Sequence, residues 1–411
     1  MSAAPLVPRQ RLIVWTILGS GVVAALHLGK AAIATPLLQT DLGVSLGQAG
    51  WLTGIFAVLG LLGGAPAGAV AAAAGGRRTM LLGLGITALA GAAGGVAPSF
   101  GLLLVSRLLE GLGFLLIIVA GPAILERLLS GVARDKAFAL WSCFMPCGMA
   151  LVMVAGPLFP GWRWLWWASA ALAILAAALV LYCIPHDDSL GMPRRILGDI
   201  RQVLRSRAAA LLTIVFALYS LMFFALFSFL PVLLMERMDI SYRGAGLLSA
   251  LASVVNAGGN LAAGYLMARG FGRSAVLLFA SGVMGASGLG IFLGLFDAPA
   301  TFLLCLLFSM IGGLIPATLL ATATLAVRDA MLVPIAVGLI MQGSNFGQLF
   351  GPAVVGSVTA AFGWSAAGVI VLLAATAACL TALLLRTALE HSDPAQVKRV
   401  AMGSATTSGK R

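Results

Sequence analysis

The two halves of this chain are copies of one another. Displacing the sequence by 195 or 196 residues brings its landmarks into register. Pro36-Leu37-Leu38 falls on Pro231-Val232-Leu233, Ala49-Gly50 on Ala245-Gly246, Gly76-Arg77 on Gly272-Arg273, and Gly156-Pro157 on Gly351-Pro352. The repeated unit is almost wholly apolar. A hydrophobic unit of that size, used twice, predicts two similar bundles that enclose a site at their interface.

Of the 411 residues, 61% are hydrophobic and 9% are charged. Soluble domains carry about 25% charged residues, so this composition is that of an integral membrane protein. A helix needs about 20 apolar residues to span a bilayer. Twelve such segments start near residues 12, 47, 79, 101, 137, 164, 209, 245, 274, 300, 333 and 365, six in each copy. The expected fold is all-α, with twelve transmembrane helices in two six-helix bundles related by a pseudo-two-fold axis. The bundles are expected at 1–184 and 209–391, joined by a linker at 185–208. Residues 392–411, rich in small and polar residues, read as a disordered tail. An interfacial amphipathic helix over 194–207 is a further expectation.

The basic residues set the orientation. With the N-terminus inside, twenty of the 25 Lys and Arg fall on the inner side and three, Arg163, Arg237 and Arg243, on the outer side. The other two, Lys30 and Arg107, lie within segments. Both termini are therefore expected in the cytoplasm, with a bacterial inner membrane as the location. The net charge of +12 is read as this topology signal plus attraction to anionic lipid. Nucleic-acid binding is set aside, because the charges are divided among short loops. Arg9 and Arg11 precede an apolar run that continues to Leu38, too long for a signal-peptide core.

Ionisable side chains inside the segments are the candidate functional residues, since a charge in the bilayer is retained only for a reason. Lys30 and His27 are three apart in the first segment, and Arg107 and Glu110 three apart in the fourth. Lys30 lies about eight residues and Arg107 about six from the outer ends of their helices, nearly one depth at 1.5 Å per residue. Lys30, Arg107 and Glu110 are expected to face one cavity. The competing structural reading is a Lys30–Glu110 pair that locks the two helices. The C-terminal half offers amides instead: Asn256 and Asn260, then Gln342, Asn345 and Gln348, each set at helical spacing, with Tyr219 beside them. Helix–helix adhesion is the alternative use of those amides. The five cysteines form no visible disulfide framework. Cys143 and Cys147 with neighbouring methionines read as packing rather than a metal site. No metal, cofactor or ATP site is expected, because Gly29-Lys30-Ala31 is only a fragment of a phosphate loop.

Three motifs carry a family resemblance that covers essentially the whole chain. Gly76-Arg77-Arg78 and Gly264 to Arg269 with Gly272-Arg273 are similar to the loop G-x-x-x-D-R-x-G-R-R of the major facilitator superfamily. Arg107-Leu108-Leu109-Glu110-Gly111-Leu112-Gly113 resembles that family's fourth-helix motif R-x-x-q-G-x-G. Gly156-Pro157 and Gly347 to Gly356 resemble its Gly-Pro element, which in helix 5 is associated with antiporters. Val152 replaces one glycine of that element. Ala73 and Ala268 stand where the loop motif has Asp. A weaker resemblance, carried by Ser45 to Trp51, is to the cyanate-permease-like branch.

The resemblance implies a secondary transporter working by alternating access. It implies gating roles for Gly76, Arg77, Arg78, Arg269 and Arg273. The intramembrane sum of +1 favours an anionic solute. The expected activity is proton-coupled import of a small anion. Lys30, Arg107, Tyr219, Asn256, Asn260, Gln342 and Asn345 are the expected solute ligands, and Glu110 and His27 the expected proton carriers. A proton-coupled antiporter exporting drugs or metabolites is the alternative. No cluster of catalytic residues supports an enzyme. Two complete half-repeats predict a monomer, with solute, protons and lipid as its partners.

Overall fold

A computed structural model describes residues 8–64, 75–186, 201–327 and 332–390. Helical segments stand at all twelve expected positions. The N-terminal half comprises α1 (Pro8–Leu42), α2 (Leu46–Gly64), α3 (Gly76–Gly95), α4 (Phe100–Leu128), α5 (Gly131–Trp141, then Phe144–Ala155) and α6 (Trp162–Cys183). The C-terminal half comprises α7 (Arg207–Phe227, then Leu230–Met238), α8 (Tyr242–Ala268), α9 (Arg273–Leu293), α10 (Ala298–Leu325), α11 (Val333–Phe362) and α12 (Trp364–Glu390). Nine of the described helices are each long and apolar enough to cross a membrane, and α3, α5 and α11 complete the set. Among the described residues there is no strand.

Prolines explain where helices break. A proline ring collides with the carbonyl four residues earlier and withdraws one donor. The break at Ser142 and Cys143 precedes Pro146, the break after Phe227 precedes Pro231, and the break at Gly313 precedes Pro316. Pro36, Pro122 and Pro352 lie inside continuous helices.

In the first half, α1 packs on α4, α5 and α6, and α3 on α4 and α6. In the second, α7 packs on α11 and α12, and α9 on α10 and α12. The halves meet along two seams, α2 against α11 and α5 against α8. Gly347 and Gly351 let α11 approach the α7 backbone at Ala217 and Leu221, so these glycines of the Gly-Pro element serve packing here.

Each half is closed by the same clamp at its Arg-poor end. Asp41, at the end of α1, accepts the Trp162 Nε1–H at 2.8 Å and a bond from Arg163. Glu236, which is 195 residues further on, accepts the Trp364 Nε1–H at 3.1 Å. Each acid ends the first helix of its half and each Trp opens the last.

At this end the Tyr242 hydroxyl donates across the halves to the Ile33 carbonyl at 3.0 Å. A neutral hydrogen bond contributes about 0.5–1.5 kcal/mol. Tyr242→Phe is therefore expected to populate the state open at the Arg-poor end by a further few-fold. Thiol labelling of an introduced cysteine in that seam measures it, and an unchanged rate would remove the latch role. At the Arg-rich end, Ser206 Oγ donates to the Ala326 carbonyl at 2.6 Å. Of the expected interfacial helix, residues 201–204 are helical. Its earlier part, Ala73, most of the linker and the tail lie outside the described residues.

Candidate functional site

The helical spacing of three brings Lys30 and His27 to one face of α1 and Arg107 and Glu110 to one face of α4. The two faces meet, and all four side chains have no solvent exposure. Glu110 is the hub. Its Oε1 accepts from Lys30 Nζ at 2.5 Å and lies 3.3 Å from His27 Nδ1, and its Oε2 accepts from Arg107. Lys30 Nζ is also 3.1 Å from His27 Nδ1 and 3.1 Å from Ser169 Oγ of α6, and lies over the Trp166 ring at 4.6 Å. Arg107 gathers three carbonyls, those of His27 at 2.6 Å, Leu28 at 3.2 Å and Leu52 at 3.1 Å, and sits over the Phe56 ring at 4.6 Å. One guanidinium thus ties α1 and α2 to α4, which its planar fork allows and an ammonium would not.

The glycines of the fourth-helix motif make this approach possible. A Cβ at Gly111 would stand 2.1 Å from the Phe56 carbonyl oxygen, and one at Gly113 would stand 2.0 Å from Thr87 Oγ1. On α3, a Cβ at Gly91 would come within 3.1 Å of Glu110 Oε1 and 3.2 Å of His27 Cε1. The motif is therefore an Arg and an acid carried on a helix whose neighbouring positions are cut back to backbone. The sequence places these charges at a shared cavity. They do meet, but in a packed interior where charged atoms face one another. The Lys30–Glu110 lock between α1 and α4 describes the observed contact. With His27 neutral the cluster carries one surplus positive charge.

In the C-terminal half, Asn256 Nδ2 donates to the Ser309 carbonyl at 2.9 Å, and Asn260 Nδ2 donates to Asn256 Oδ1 at 3.2 Å. Asn256 thus ties α8 to α10, and Asn260 supports it from the same helix. Tyr219 of α7 is buried against Phe223, ring centres 5.7 Å apart. Gln342 Nε2 donates across the α2–α11 seam to the Leu61 carbonyl at 3.1 Å, and Asn345 packs on Gly60 across the same seam. Gln348 differs from the others: it is buried and its amide nitrogen has no hydrogen-bond partner among the described residues. Helical periodicity puts it between the α2-facing and α7-facing residues of α11, away from exposed Phe346.

The contacts recorded for the loop residues among the described residues lie within their own halves. Gly76 begins α3, and Arg77 and Arg78 both reach His186, at 2.8 and 3.1 Å, with Arg77 also donating to the Leu181 carbonyl at 2.8 Å. These contacts tie α3 to the end of α6. Arg269 follows α8 and lies over the Tyr265 ring, and Arg273 begins α9.

Sequence reasoning missed Ser169, Trp166, Phe56 and Tyr242. The first three stand on α6 and α2 and carry no sequence mark of contact with Lys30 or Arg107. Tyr242 opens the second copy's second helix, and no counterpart in the first copy marks it.

Comparison with known proteins agrees with this architecture. A bacterial homologue of the human lysosomal transporter Spinster superposes with a TM-score of 0.73 at 17% identity, over 94% of this chain and 97% of that one. A puromycin resistance protein of Streptomyces alboniger is 33% identical over 190 residues, which is 44% of this chain but only 36% of that protein. The 3-(3-hydroxy-phenyl)propionate transporter of Escherichia coli is 25% identical over 273 residues, 64% of this chain and 67% of that one. A probable 4-methylmuconolactone transporter of Cupriavidus pinatubonensis is 24% identical over 56% of each chain. A sequence profile of the Major Facilitator Superfamily matches residues 17–333. With that match across most of its length, on twelve helices in two bundles, the chain belongs to the Major Facilitator Superfamily and is a membrane transporter.

Proposed function

We propose that this transporter imports a small organic anion, of the size and type of an aromatic carboxylate, by proton-coupled alternating access. The observation that carries the reading is the fully buried His27–Lys30–Arg107–Glu110 cluster, with two fixed cations against one acid. A surplus positive charge in an apolar interior raises the local potential and favours an anion between the halves. The unpartnered amide nitrogen of Gln348 adds a donor from the opposite half, where a carboxylate oxygen is the fitting acceptor. One relative is named as a transporter of a hydroxyphenylpropionate. Lys30 and Arg107 set the field, Glu110 and His27 handle the proton, and Tyr219, Asn256, Asn260, Gln342 and Asn345 shape the other wall. The arginine distribution supports cytoplasmic termini in a bacterial inner membrane, and two half-repeats support a working monomer.

Purified protein in liposomes, acidic outside, is expected to accumulate a labelled phenylpropionate, and a protonophore is expected to abolish the accumulation. Export of drugs is the second reading, favoured by the identity to the puromycin resistance protein and by 35% identity over 161 residues to a chloramphenicol resistance protein. Cells that gain drug resistance on expression, with liposomes that ignore carboxylates, would replace the first reading by the second.

A further inference from the structure

We infer that the proton moved by this cluster binds at His27 Nδ1, with Glu110 serving as a fixed counter-ion. This rests on the proton-coupled reading above and assigns its atom. The hydrogen bonds fix the tautomer. Ser169 O, a carbonyl that can only accept, lies 3.0 Å from His27 Nε2, so Nε2 carries a hydrogen. Lys30 Nζ, which as an ammonium only donates, lies 3.1 Å from Nδ1, so Nδ1 presents its lone pair. In this state the network closes. The three Lys30 hydrogens find His27 Nδ1, Glu110 Oε1 and Ser169 Oγ. Ser169 Oγ in turn donates to the Trp166 carbonyl at 2.8 Å.

An added proton has two places to go. On Glu110 it would displace a bond from Lys30 or from Arg107, both of them charge-assisted and therefore strong. On His27 Nδ1 it displaces one Lys30 hydrogen and finds an acceptor already in place, Glu110 Oε1 at 3.3 Å. No helix has to move. Nε2 keeps its bond to Ser169. The groups around His27 are Lys30 from α1, Glu110 and Arg107 from α4, Ser169 and Trp166 from α6 and Gly91 from α3. Only the first three are charged. Protonation raises the cluster from +1 to +2 in an interior without solvent exposure, and an anion entering between the halves offsets the added charge. Binding of the proton and binding of the anion then favour each other, which is symport.

The test uses the full chain with His27→Gln, whose amide can accept from Lys30 and donate to Ser169 yet binds no proton. Wild type and variant are compared in liposomes for phenylpropionate exchange and for proton-driven accumulation. Nitrogen NMR of histidine-labelled protein reads the imidazole directly. The chain has three histidines, so the signal lost in the variant is that of His27. The expected result is a His27 signal that gains its second hydrogen as pH falls. The variant is expected to lose at least ten-fold in proton-driven accumulation relative to its own exchange rate, compared with the same ratio in wild type. Accumulation by the variant equal to wild type, or a His27 that stays neutral wherever transport responds to the gradient, overturns the assignment. A wild type that exchanges solute but ignores the gradient overturns the proton-coupled reading itself, and the assignment with it.

Discussion

Glu110→Ala is expected to lower the stability of the protein by about 3–5 kcal/mol, the range for removing one partner of a buried ion pair. Two cations lean on this carboxylate, Lys30 on one oxygen and Arg107 on the other, and none of the three has solvent exposure. The substitution leaves both cations in an apolar interior with only neutral partners: carbonyls and the Phe56 ring for Arg107, the His27 imidazole, the Ser169 hydroxyl and the Trp166 ring for Lys30. A charge on an isolated membrane helix is tolerated at about 2.5–3.5 kcal/mol because it can reach toward the interface. Lys30 and Arg107 lack that escape, since they are packed on every side. The origin of the loss is tested by a double substitution. Adding Lys30→Met to Glu110→Ala removes one of the stranded charges, so the pair of changes is expected to destabilise less than the sum of the single changes. Unfolding in detergent, followed with denaturant on the four proteins, measures the coupling. Strict additivity would mean that the Lys30–Glu110 contact adds nothing to the bundle.

The twelve segments and their duplication were legible in the sequence, because apolar runs and recurring landmarks are local features of the chain. The pairing of Lys30 with Glu110 was also open to reading. Both residues are charged, both stand at similar depth, and only a partner makes such burial tolerable. What surrounds the pair was not legible. Ser169 and Trp166 lie 139 and 136 residues beyond Lys30, on a helix whose rotation depends on packing alone. Whether a charged face looks into a cavity or into another helix depends on what stands opposite, and hydropathy carries no record of that. The acid–tryptophan clamps show a subtler loss. Asp41 and Glu236 obey the repeat of 195, but Trp162 and Trp364 are 202 apart, so the shared device is out of register in a direct overlay of the halves. The Arg-poor seam was hidden for another reason. Its glycines look like the many other glycines of a membrane chain until their partner backbone is known.

Gly50→Ala is expected to shift the protein away from the observed state and to slow transport, leaving the bundles folded. A Cβ at Gly50 would stand 2.1 Å from the Pro352 carbonyl oxygen, and one at Gly54 would stand 2.3 Å from the Leu349 carbonyl oxygen. This part of the seam is backbone against backbone, so no side-chain rotation can make room for the methyl group. Either α2 and α11 separate at the Arg-poor end or the closed state carries the clash. Overpacking of this kind costs about 1–3 kcal/mol. Applied to one of two conformations, that is a population shift of about 5–150-fold toward the state open at this end. The α2 and α11 cores within each half are untouched, so unfolding is expected to change little. Ser357, which faces Gly47 across the same seam, is a suitable site for a reporter cysteine. Its thiol is expected to label faster in the Gly50→Ala background, and solute turnover is expected to fall by a similar factor because each cycle must pass through the closed seam. Among the described residues, no atom beyond the adjoining helix backbone lies within 4 Å of a Cβ built at Gly258 of α8, so Gly258→Ala is the matched control, with labelling and turnover as in wild type. If Gly50→Ala labelled and turned over like that control, the glycine contact would be incidental to the seam, and closure of the Arg-poor end would rest on Tyr242 and on the α5–α8 contact.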